Sequence, residues 1–572
     1  MKIFKFCKSY LSLKKKMLLL FIGLSFGGCL ISIVSPYILG DFIDTLITGT
    51  TKQRIINFCI IFGGLNAIKI FRDYVTWILY TKMQIEMGYK LNVDVLKHLQ
   101  NLSISYLNNQ DEAYMNQKIN GDCYALITFC LTTLRDSITN ITMFVFPFII
   151  MLYLNRNILL LLVCFIVAYI LIYMLMKKKI YDAGFKYRES LAVLFSSLFE
   201  QIRHIFQIKV DSIQAEFVKR TNGAFSQYKD TAIKSQRLNY LYSSLDSIVV
   251  TFANIVLFVV GGILVINGSF TVGMFTIFSS YFRTMLSSCS YFFGLAATYQ
   301  NSVVSFNRIK DILSTVKESN GDIRVSEINT IEIENLSFSY AFYERNHNNS
   351  NDALPIKKKN DTLNVIESAS YKFSRGSLYA IVGENGTGKT TFAKLIIGLY
   401  IDEKKGNIYY NDVPINSIDL AHARRMLIGY AEQNPTLIQD NIYYNLTYED
   451  IQEVIDKSED ELENEKLIKI RQLGGMLNLG ELFDNKTLTF RINENATNLS
   501  GGEKQKIAIL KVLYKNPDVM IFDEPTSALD KDTKERFIRY LQNIKHNKII
   551  IVVTHDDELV SCCDQIVDIS IL

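Results

Sequence analysis

Six apolar stretches in the first half of this 572-residue chain constrain its fold more strongly than any other feature. Each is close to the roughly 20 residues that an α-helix needs to cross the hydrocarbon core of a bilayer. Because the bilayer core offers backbone groups no water, such a stretch is expected to span it as a helix. The predicted spans are residues 17–40, 55–80, 137–154, 158–176, 247–266 and 271–295. The first half is therefore predicted to be a multi-pass domain in the lipid bilayer.

The first apolar stretch has a second interpretation. The segment "KKKMLLLFIGLSFGGC" combines a basic start, an apolar core and small residues before a cysteine, as a cleaved secretion signal does. The apolar run continues beyond that cysteine into "LISIVSPYILG", and five further stretches follow. These two observations favour a membrane span.

Positive charge predicts which ends of the spans face the cytoplasm. Lysines at 14–16 precede the first span and lysines at 177–179 follow the fourth, whereas the short links "NRN" and "NGSF" carry little charge. Loops on the cytoplasmic side are enriched in lysine and arginine. Both termini and the long polar links, 83–136 and 177–246, are therefore predicted to be cytoplasmic.

Net charge and cysteine content argue against two kinds of site. The net charge of +4 is small for this length and argues against nucleic-acid binding, which usually needs a large basic excess. The nine cysteines are scattered without a CxxC pair, which is typical of reduced structural thiols rather than a metal site. Adjacent Cys562 and Cys563 could form a strained redox pair, but two buried apolar side chains are favoured.

The second half has a different pattern. Short β-rich runs such as "LYAIVG", "VMIFD" and "KIIIVVTH" alternate with helical segments, which predicts an α/β domain with a buried parallel sheet. We place a transmembrane domain at 1–313, a polar linker at 314–328 and a nucleotide-binding domain at 329–572.

The segment "GENGTGKT" fits the phosphate-binding pattern G-x-x-x-x-G-K-[ST] and lies between a strand-like and a helix-like segment. Glycines allow backbone amides to turn toward phosphate oxygens at a helix N-terminus. Lys389 is placed for the β- and γ-phosphates and the Thr390 hydroxyl for Mg²⁺. The predicted loop comprises Gly383, Glu384, Asn385, Gly386, Thr387, Gly388, Lys389, Thr390 and Thr391.

Two acidic residues end the apolar run "VMIFDEP". Asp523 at the end of the strand is suited to hold Mg²⁺, and Glu524 is suited to act as a general base on water. By itself this pattern is also that of an ordinary acidic turn. Its occurrence together with a phosphate loop favours a hydrolytic site.

The segment "NLSGGEKQ" precedes the helical run "KIAILKVLY". Ser500, Gly501, Gly502 and Glu503 would place backbone donors at a helix start, which is either a second anion-binding terminus or a simple helix cap.

Along the chain the phosphate loop comes first, "NLSGGEKQ" second and "VMIFDEP" third. With the three motifs in that order, the chain resembles the ATP-binding cassette (ABC) transporters, in particular the six-span exporter half-transporters with a fused C-terminal cassette. The resemblance extends over essentially the whole chain. It implies an α-helical transmembrane domain plus an α/β P-loop nucleotide-binding domain, with ATP and Mg²⁺ as cofactors. It also implies ATP hydrolysis coupled to transport.

The resemblance assigns further residues. Tyr340 in "LSFSY" matches the aromatic that stacks on adenine, and Asp530 in "SALD" lies in the segment at the dimer seam. The implied Mg²⁺ ligands are Thr390, Gln433 and Asp523. The implied catalytic residues are Glu524, His555 and Gln433. The stretches 120–126 and 211–217 resemble the short cytoplasmic helices that dock on the cassettes.

The family pattern also implies a dimer, because each ATP lies between one chain's phosphate loop and the partner's "LSGGE". Since Lys389, Glu524 and His555 are all present, a homodimer is favoured over a heterodimer with one inactive site. A heterodimer with another half-transporter is the open alternative.

Three features depart from the family pattern. A polar insertion at 344–362 is predicted to be a disordered surface loop. Asn493 stands where relatives usually carry glycine, and the chain ends where many relatives continue.

The charged residues Lys69, Arg72 and Asp73 share a helical face inside a span. They either bind an anionic or zwitterionic group or extend toward the membrane interface, and the latter is favoured.

The predicted function is ATP-driven export of a hydrophobic or amphipathic substrate, with a small peptide favoured over a drug or lipid. An ATP-gated channel or regulatory membrane protein, and a metal-chelate importer, are the alternatives. The frequent use of Lys, Ile and Asn suggests an AT-rich bacterium, and the predicted location is the cell membrane.

Overall fold

The structure, a computed structural model, describes residues 2–108, 115–116, 118–344, 356–451, 465–479 and 488–571. They divide into two units. A helical unit contains the described residues of 1–100 and 111–314, and an α/β unit contains those of 101–110 and 315–572.

Long helices make up the helical unit. In the described part of the chain, nine α-helices precede the first strand: α1 (Lys2–Ser12), α2 (Lys15–Thr48), α3 (Lys52–Leu99), α4 (Ile104–Asn108), α5 (Cys123–Leu154), α6 (Arg156–Arg203), α7 (Ile205–Val210), α8 (Gln214–Ile266) and α9 (Val272–Ser314). Of these, α4 belongs to the α/β unit. Helices of this length exceed the roughly 30 Å hydrocarbon core, so the remainder of each extends beyond it.

Five helical segments among the described residues are long and apolar enough to cross a membrane: Lys15–Thr48, Lys52–Leu99, Ile119–Leu154, Arg156–Arg203 and Gln214–Ile266. The first five predicted spans lie in these segments. The sixth, 271–295, lies in α9, which does not reach the same apolar character among the described residues. Its serines, threonines and Arg283 lower its hydropathy.

Helices α2 and α9 pack closely at one end. Asp44 accepts hydrogen bonds from the Thr271 hydroxyl (2.6 Å) and the Gly273 amide (2.7 Å), so a carboxylate caps the start of α9. A Cβ at Gly273 would lie 2.1 Å from the Gly40 carbonyl oxygen. This contact therefore requires glycine.

The first predicted docking stretch, 120–126, packs within the helical unit. The Asp122 carboxylate accepts a hydrogen bond from Ser305 (2.8 Å) and lies 3.1 Å from the Arg308 Nε, both on α9. The segment that groups with the α/β unit is 101–110, where the Glu318 amide donates to the Asn101 carbonyl (2.8 Å). The expectation that 120–126 docks on a cassette stays a prediction, and these contacts show only that Asp122 also binds α9.

Two sheets form the α/β unit. Their strands are β1 (Thr330–Glu344), β2 (Ile356–Ser374), β3 (Ser377–Val382), β4 (Lys405–Tyr410), β5 (Val413–Pro414), β6 (Ile428–Ala431), β7 (Val519–Asp523), β8 (Ile549–Val553) and β9 (Gln565–Asp568). The order β6-β7-β8-β3-β9 gives a parallel sheet, and β2-β1-β4-β5 an antiparallel one. Every residue of β7 and β8 is buried, as expected for strands covered on both faces.

Seven α-helices complete the described part of this unit after β3: α10 (Lys389–Ile396), α11 (Leu420–Met426), α12 (Ile442–Thr447), α13 (Glu465–Met476), α14 (Gly501–Lys515), α15 (Lys531–Ile544) and α16 (Asp557–Ser561). The segment predicted as a linker packs on this unit. The Gly321 amide donates to the Ile418 carbonyl (2.9 Å), and Arg324 pairs with Asp419 (3.0 Å).

Part of the polar insertion 344–362 is strand rather than loop. The last residue of β1, Glu344, pairs with Ile356, and Tyr343 pairs with Lys357. Antiparallel strands pair through backbone hydrogen bonds, which residues of nearly any type can form, so composition did not reveal this pairing. The insertion's central residues, 345–355, lie outside the described residues.

Candidate nucleotide site

The predicted phosphate loop connects the end of β3 to the start of α10. Its glycines adopt positive φ angles, 151° at Gly383, 88° at Gly386 and 94° at Gly388, which glycine alone tolerates readily. A Cβ at Gly388 would lie 2.4 Å from Cγ1 of Val365. The loop therefore brings backbone amides to the N-terminus of α10, where the helix dipole favours an anion.

Lys389 folds back across this loop. Its Nζ donates hydrogen bonds to the carbonyl oxygens of Gly383 and Glu384, each at 2.9 Å. Burial lowers the pKa of Lys389, while the negative charges of Glu524 and Asp523 oppose that shift. The ammonium group is thus positioned within the loop that would receive phosphates.

Asp523 ends β7 as a buried carboxylate that lacks a full set of partners. Its Oδ2 accepts a hydrogen bond from the Tyr430 hydroxyl (3.3 Å). Its Oδ1 is buried and has no partner in hydrogen-bonding geometry among the described residues. Burial raises the pKa of Asp523 above its usual value. Hydrogen bonding with the Thr390 and Tyr430 hydroxyls offsets only part of this rise. A buried carboxylate oxygen beside a threonine hydroxyl fits Mg²⁺, which prefers oxygen ligands.

Two of the predicted catalytic residues, Gln433 and His555, lie beside the third, Glu524. The Gln433 Nε2 donates to one carboxylate oxygen of Glu524 at 3.0 Å, and the His555 Nε2 lies 3.9 Å from the other. The backbone of Glu524 has a φ of 47°, an unusual value for a residue with a side chain. Its amide donates to the Val553 carbonyl at 2.8 Å, which holds it against β8.

Gln505, which follows the "LSGGE" motif, belongs to the site although the sequence motifs do not include it. This buried side chain donates to the Glu524 carbonyl (2.6 Å) and the Ser527 hydroxyl (3.0 Å) and accepts from the Ala528 amide (3.1 Å). It links α14 to the turn after β7. The available signal was a glutamine on the face of α14 that otherwise buries Ala508, Ile509 and Val512.

The predicted second anion site begins α14 as a capped helix. The Ser500 Oγ accepts from the Glu503 amide (3.2 Å), and the Glu503 carboxylate accepts from the Ser500 amide (2.7 Å). This reciprocal pair is a capping box. Gly501 and Gly502 contribute amides of the first turn, whose N–H groups have no partner within the helix.

Tyr340 and Asp530 have defined partners of their own. The Tyr340 hydroxyl lies 3.0 Å from the Thr391 Oγ1, which ties the ring to the first turn of α10. Asp530 caps α15 by accepting from the amide and hydroxyl of Thr533. These hydrogen bonds hold the pKa of Asp530 well below its usual range. The structure therefore joins Tyr340 to the phosphate-loop helix and gives Asp530 a capping role.

Comparison with known proteins identifies the family. Residues 18–289 match the family described as "ABC transporter transmembrane region". Residues 366–527 match the family described as "ABC transporter". The chain is an ABC transporter. The prediction of a helical membrane domain followed by an α/β nucleotide-binding domain is confirmed, as is that of an ATP-hydrolysing, multi-pass membrane transporter.

Three distant relatives of this ABC transporter match nearly its whole length. It is 24% identical to ABC transporter B family member 1 of Dictyostelium discoideum, over 92% of this chain and 55% of that protein. It is 26% identical to the multidrug resistance-like ATP-binding protein MdlB of Buchnera aphidicola, over 95% of this chain and 88% of MdlB. The lactococcin-G-processing and transport protein LagD of Lactococcus lactis is 23% identical, over 94% of this chain and 72% of LagD.

A solved structure shares the fold of this ABC transporter. It is described as a bacterial Atm1-family ABC exporter with ATP bound, and it superposes with a TM-score of 0.76 at 18% identity. The match covers 98% of this chain and 93% of that one. The fold is that of an ABC exporter.

Proposed function

We propose that this ABC exporter works as a homodimer that moves a hydrophobic or amphipathic compound, by preference a short peptide, out of a bacterial cell. The observation that carries the proposal is the convergence of Gln433 and His555 on Glu524. A transporter that only gates a pathway has little need of a complete hydrolytic site. Two relatives favour a peptide cargo by their names, LagD and the transport/processing protein ComA of Streptococcus pneumoniae. The names of MdlB and of a lipid A-core flippase of Shewanella oneidensis make a drug or a lipid the alternative cargo.

The residues of the site have distinct proposed roles in hydrolysis. The amides of the phosphate loop and the Lys389 ammonium bind the β- and γ-phosphates. Thr390, Gln433 and Asp523 hold Mg²⁺, which when bound neutralises phosphate charge. Glu524 accepts a proton from the attacking water, and His555 contacts the γ-phosphate. Tyr340 lies under the adenine base.

Dimerisation completes the proposed site. Ser500, Gly501, Gly502 and Glu503 of one chain face the phosphates held by the partner's phosphate loop, and Asp530 lies at the seam between the cassettes. ATP then favours the closed dimer because it binds across both chains, which gives the differential affinity that a population shift requires. Both termini and the cassettes face the cytoplasm, as the lysine distribution predicts. A heterodimer is the competing assembly.

The test is ATP hydrolysis by the purified full-length protein in lipid, with wild type beside Glu524→Gln and the control Glu535→Gln on α15. Loss of the base is expected to lower turnover by about 10²- to 10⁴-fold while ATP binding persists. Hydrophobic peptides, lipids and drug-like cations are then tested for stimulation and for ATP-dependent uptake into inside-out vesicles. Normal turnover in Glu524→Gln would remove Glu524 from the base role. Ion current without uptake would contradict export.

A further inference from the structure

A polar cavity lies among the apolar helices of the helical unit. It has a volume of about 340 Å³ and is lined by residues of α2, α3 and α5. Two arginine–aspartate pairs contribute to its wall. Arg72 and Asp73 are 3.0 Å apart, and Arg135 and Asp136 are 2.7 Å apart. Ionisable groups within membrane helices are costly, so they commonly mark a functional site.

Arg72 extends toward a neighbouring helix rather than along its own. A Cβ at Gly28 of α2 would lie 1.7 Å from the Arg72 Nη2, so the guanidinium occupies the space that glycine leaves open. Its Nη1 donates to the Leu24 carbonyl at 3.4 Å. Its Nε is buried and has no partner among the described residues. The Arg72 side chain is therefore directed at α2, and the favoured expectation that it lies near the membrane interface stays a prediction.

Positively charged donors and negatively charged acceptors remain available for hydrogen bonds around the cavity. Arg135 donates through Nε to Asp136, and its guanidinium carbon lies 5.7 Å from the centre of the Tyr80 ring. Within the described part of the chain, its two terminal nitrogens have no hydrogen-bond partner. Each aspartate uses Oδ1 in its pair, which leaves Oδ2 of Asp73 and of Asp136 as acceptors.

We propose that this cavity binds a zwitterionic group of the cargo, such as the free ends of a short apolar peptide. The two pairs sum to zero charge, so a simple anion meets two carboxylates and a simple cation meets two guanidinium groups. A zwitterion instead gains a charge-assisted hydrogen bond at each of its ends. The inference rests on the proposed export function and specifies which chemistry the exporter recognises.

The size and lining of the cavity fit the polar end of an amphipathic molecule. Its volume is near the lower end of the roughly 300–1,000 Å³ typical of small-molecule sites. Trp77 and Met143 belong to the same wall and offer apolar surface to the rest of the molecule. A zwitterionic lipid headgroup has the same chemistry as peptide ends, and the experiment below separates these two sources.

The test measures equilibrium binding of radiolabelled trileucine to the full-length protein in nanodiscs of phosphatidylglycerol, without ATP. Four forms are compared, with free ends, an N-acetyl group, a C-terminal amide, or both. Each block removes one charge and is expected to weaken binding by about tenfold, since one charge-assisted hydrogen bond contributes roughly the free energy of a tenfold change.

Two variants identify which residue recognises which end. In Arg135→Gln the C-terminal amide is expected to weaken binding by clearly less than tenfold, because Arg72 alone remains to bind a carboxylate, while the N-acetyl group keeps its tenfold effect. In Asp136→Asn the reverse is expected, because Asp73 alone remains to bind an ammonium group. Arg54→Gln removes an exposed arginine of the same helix as Arg72 and is expected to bind like wild type. Gly28→Ala displaces Arg72 without removing its charge and is expected to weaken all forms that carry a carboxylate. Its control is Gly27→Ala, which has open space around it.

The outcomes decide the proposal and the source of the ligand. Two results would mean that the two pairs only hold the helices together. One is that Arg135→Gln and Asp136→Asn change the affinity for all four peptides equally, and the other is that the affinity does not depend on the end groups. Competition by phosphatidylethanolamine, with the same pattern in the variants, supports zwitterion binding and identifies a lipid headgroup as the source. Binding does not require ATP, so end-specific binding without uptake into vesicles would contradict export but not this site.

Discussion

At the scale of single residues, the hydrolytic centre combines an unusual backbone with an incompletely paired carboxylate. Glu524 has a positive φ, and three contacts hold its peptide, from Gln505, Val553 and Ser527. Asp523 beside it is buried with an oxygen that has no described partner. Both features cost stability, and such costs are common where a site is prepared for a ligand.

Asp523→Asn is expected to stabilise the protein in the absence of Mg²⁺ and ATP while abolishing hydrolysis. The raised pKa of Asp523 means that the folded protein binds this proton more tightly than the unfolded chain does. The stability that this group contributes is therefore present below its ordinary pKa and is lost as pH rises through the raised value. At neutral pH the amide removes a buried charge, which is expected to raise stability by about 1–3 kcal/mol.

Thermal unfolding of the full-length protein in lipid without magnesium tests this expectation. The melting temperature of Asp523→Asn is expected to exceed that of wild type at pH 7, and the difference is expected to shrink as pH falls below the raised pKa. Asp532→Asn, an exposed residue of α15, is the control. An unchanged or lower melting temperature at pH 7 would show that Asp523 is already stabilised by the protein.

At the scale of helices and strands, contacts between elements explain which features could be predicted. The phosphate loop was predictable because its glycines, lysine and threonine are consecutive and act through local backbone geometry. The apolar helices were predictable because each carries its own pattern. Other features depend on a partner outside the local sequence pattern. Gln505 bonds to Glu524, Arg72 extends to Gly28, and Glu344 pairs with Ile356, so the pattern around each residue could not reveal these contacts.

Gln505→Ala is expected to lower turnover without weakening ATP binding. The glutamine positions Glu524 through its carbonyl rather than contacting phosphate, so its loss lets the turn relax from its positive φ. A misplaced base is expected to reduce kcat by about tenfold to a hundredfold, with KM for ATP nearly unchanged. Gln505→Glu keeps the acceptor for the Ala528 amide and is expected to recover part of the activity. A rise in KM alone would assign Gln505 to nucleotide binding.

The close approach of α2 and α9 predicts a difference between two glycine substitutions. Gly273→Ala places a Cβ 2.1 Å from the backbone oxygen of Gly40, so the helices must separate. The expected loss is about 1–3 kcal/mol, seen as a lower melting temperature in lipid. Gly27→Ala has no atom within 4 Å of its new Cβ and is expected to be neutral or slightly stabilising. Equal melting temperatures would mean that α2 and α9 adjust without cost.

At the scale of the whole molecule, each chain carries one phosphate loop and one "LSGGE" segment. If each ATP lies between the loop of one chain and the signature of the other, a chain with a defective loop can be complemented by a chain with a defective signature. Mixed dimers of Lys389→Ala and Ser500→Arg then contain one intact site and one doubly defective site. If nucleotide is handled within a chain, both sites of that mixed dimer are defective.

Co-expression with two affinity tags isolates such mixed dimers, and their ATPase activity in lipid is the measurement. Activity well above that of either single-variant homodimer is expected. The reciprocal control pairs wild type with a chain that carries both substitutions. Composite sites make this control inactive, because each site then contains one defective component, whereas sites within one chain leave the wild-type half active. With composite sites only the mixed dimer of the two single variants is active, and with sites within one chain only the control is active. A general loss of stability would not produce either pattern.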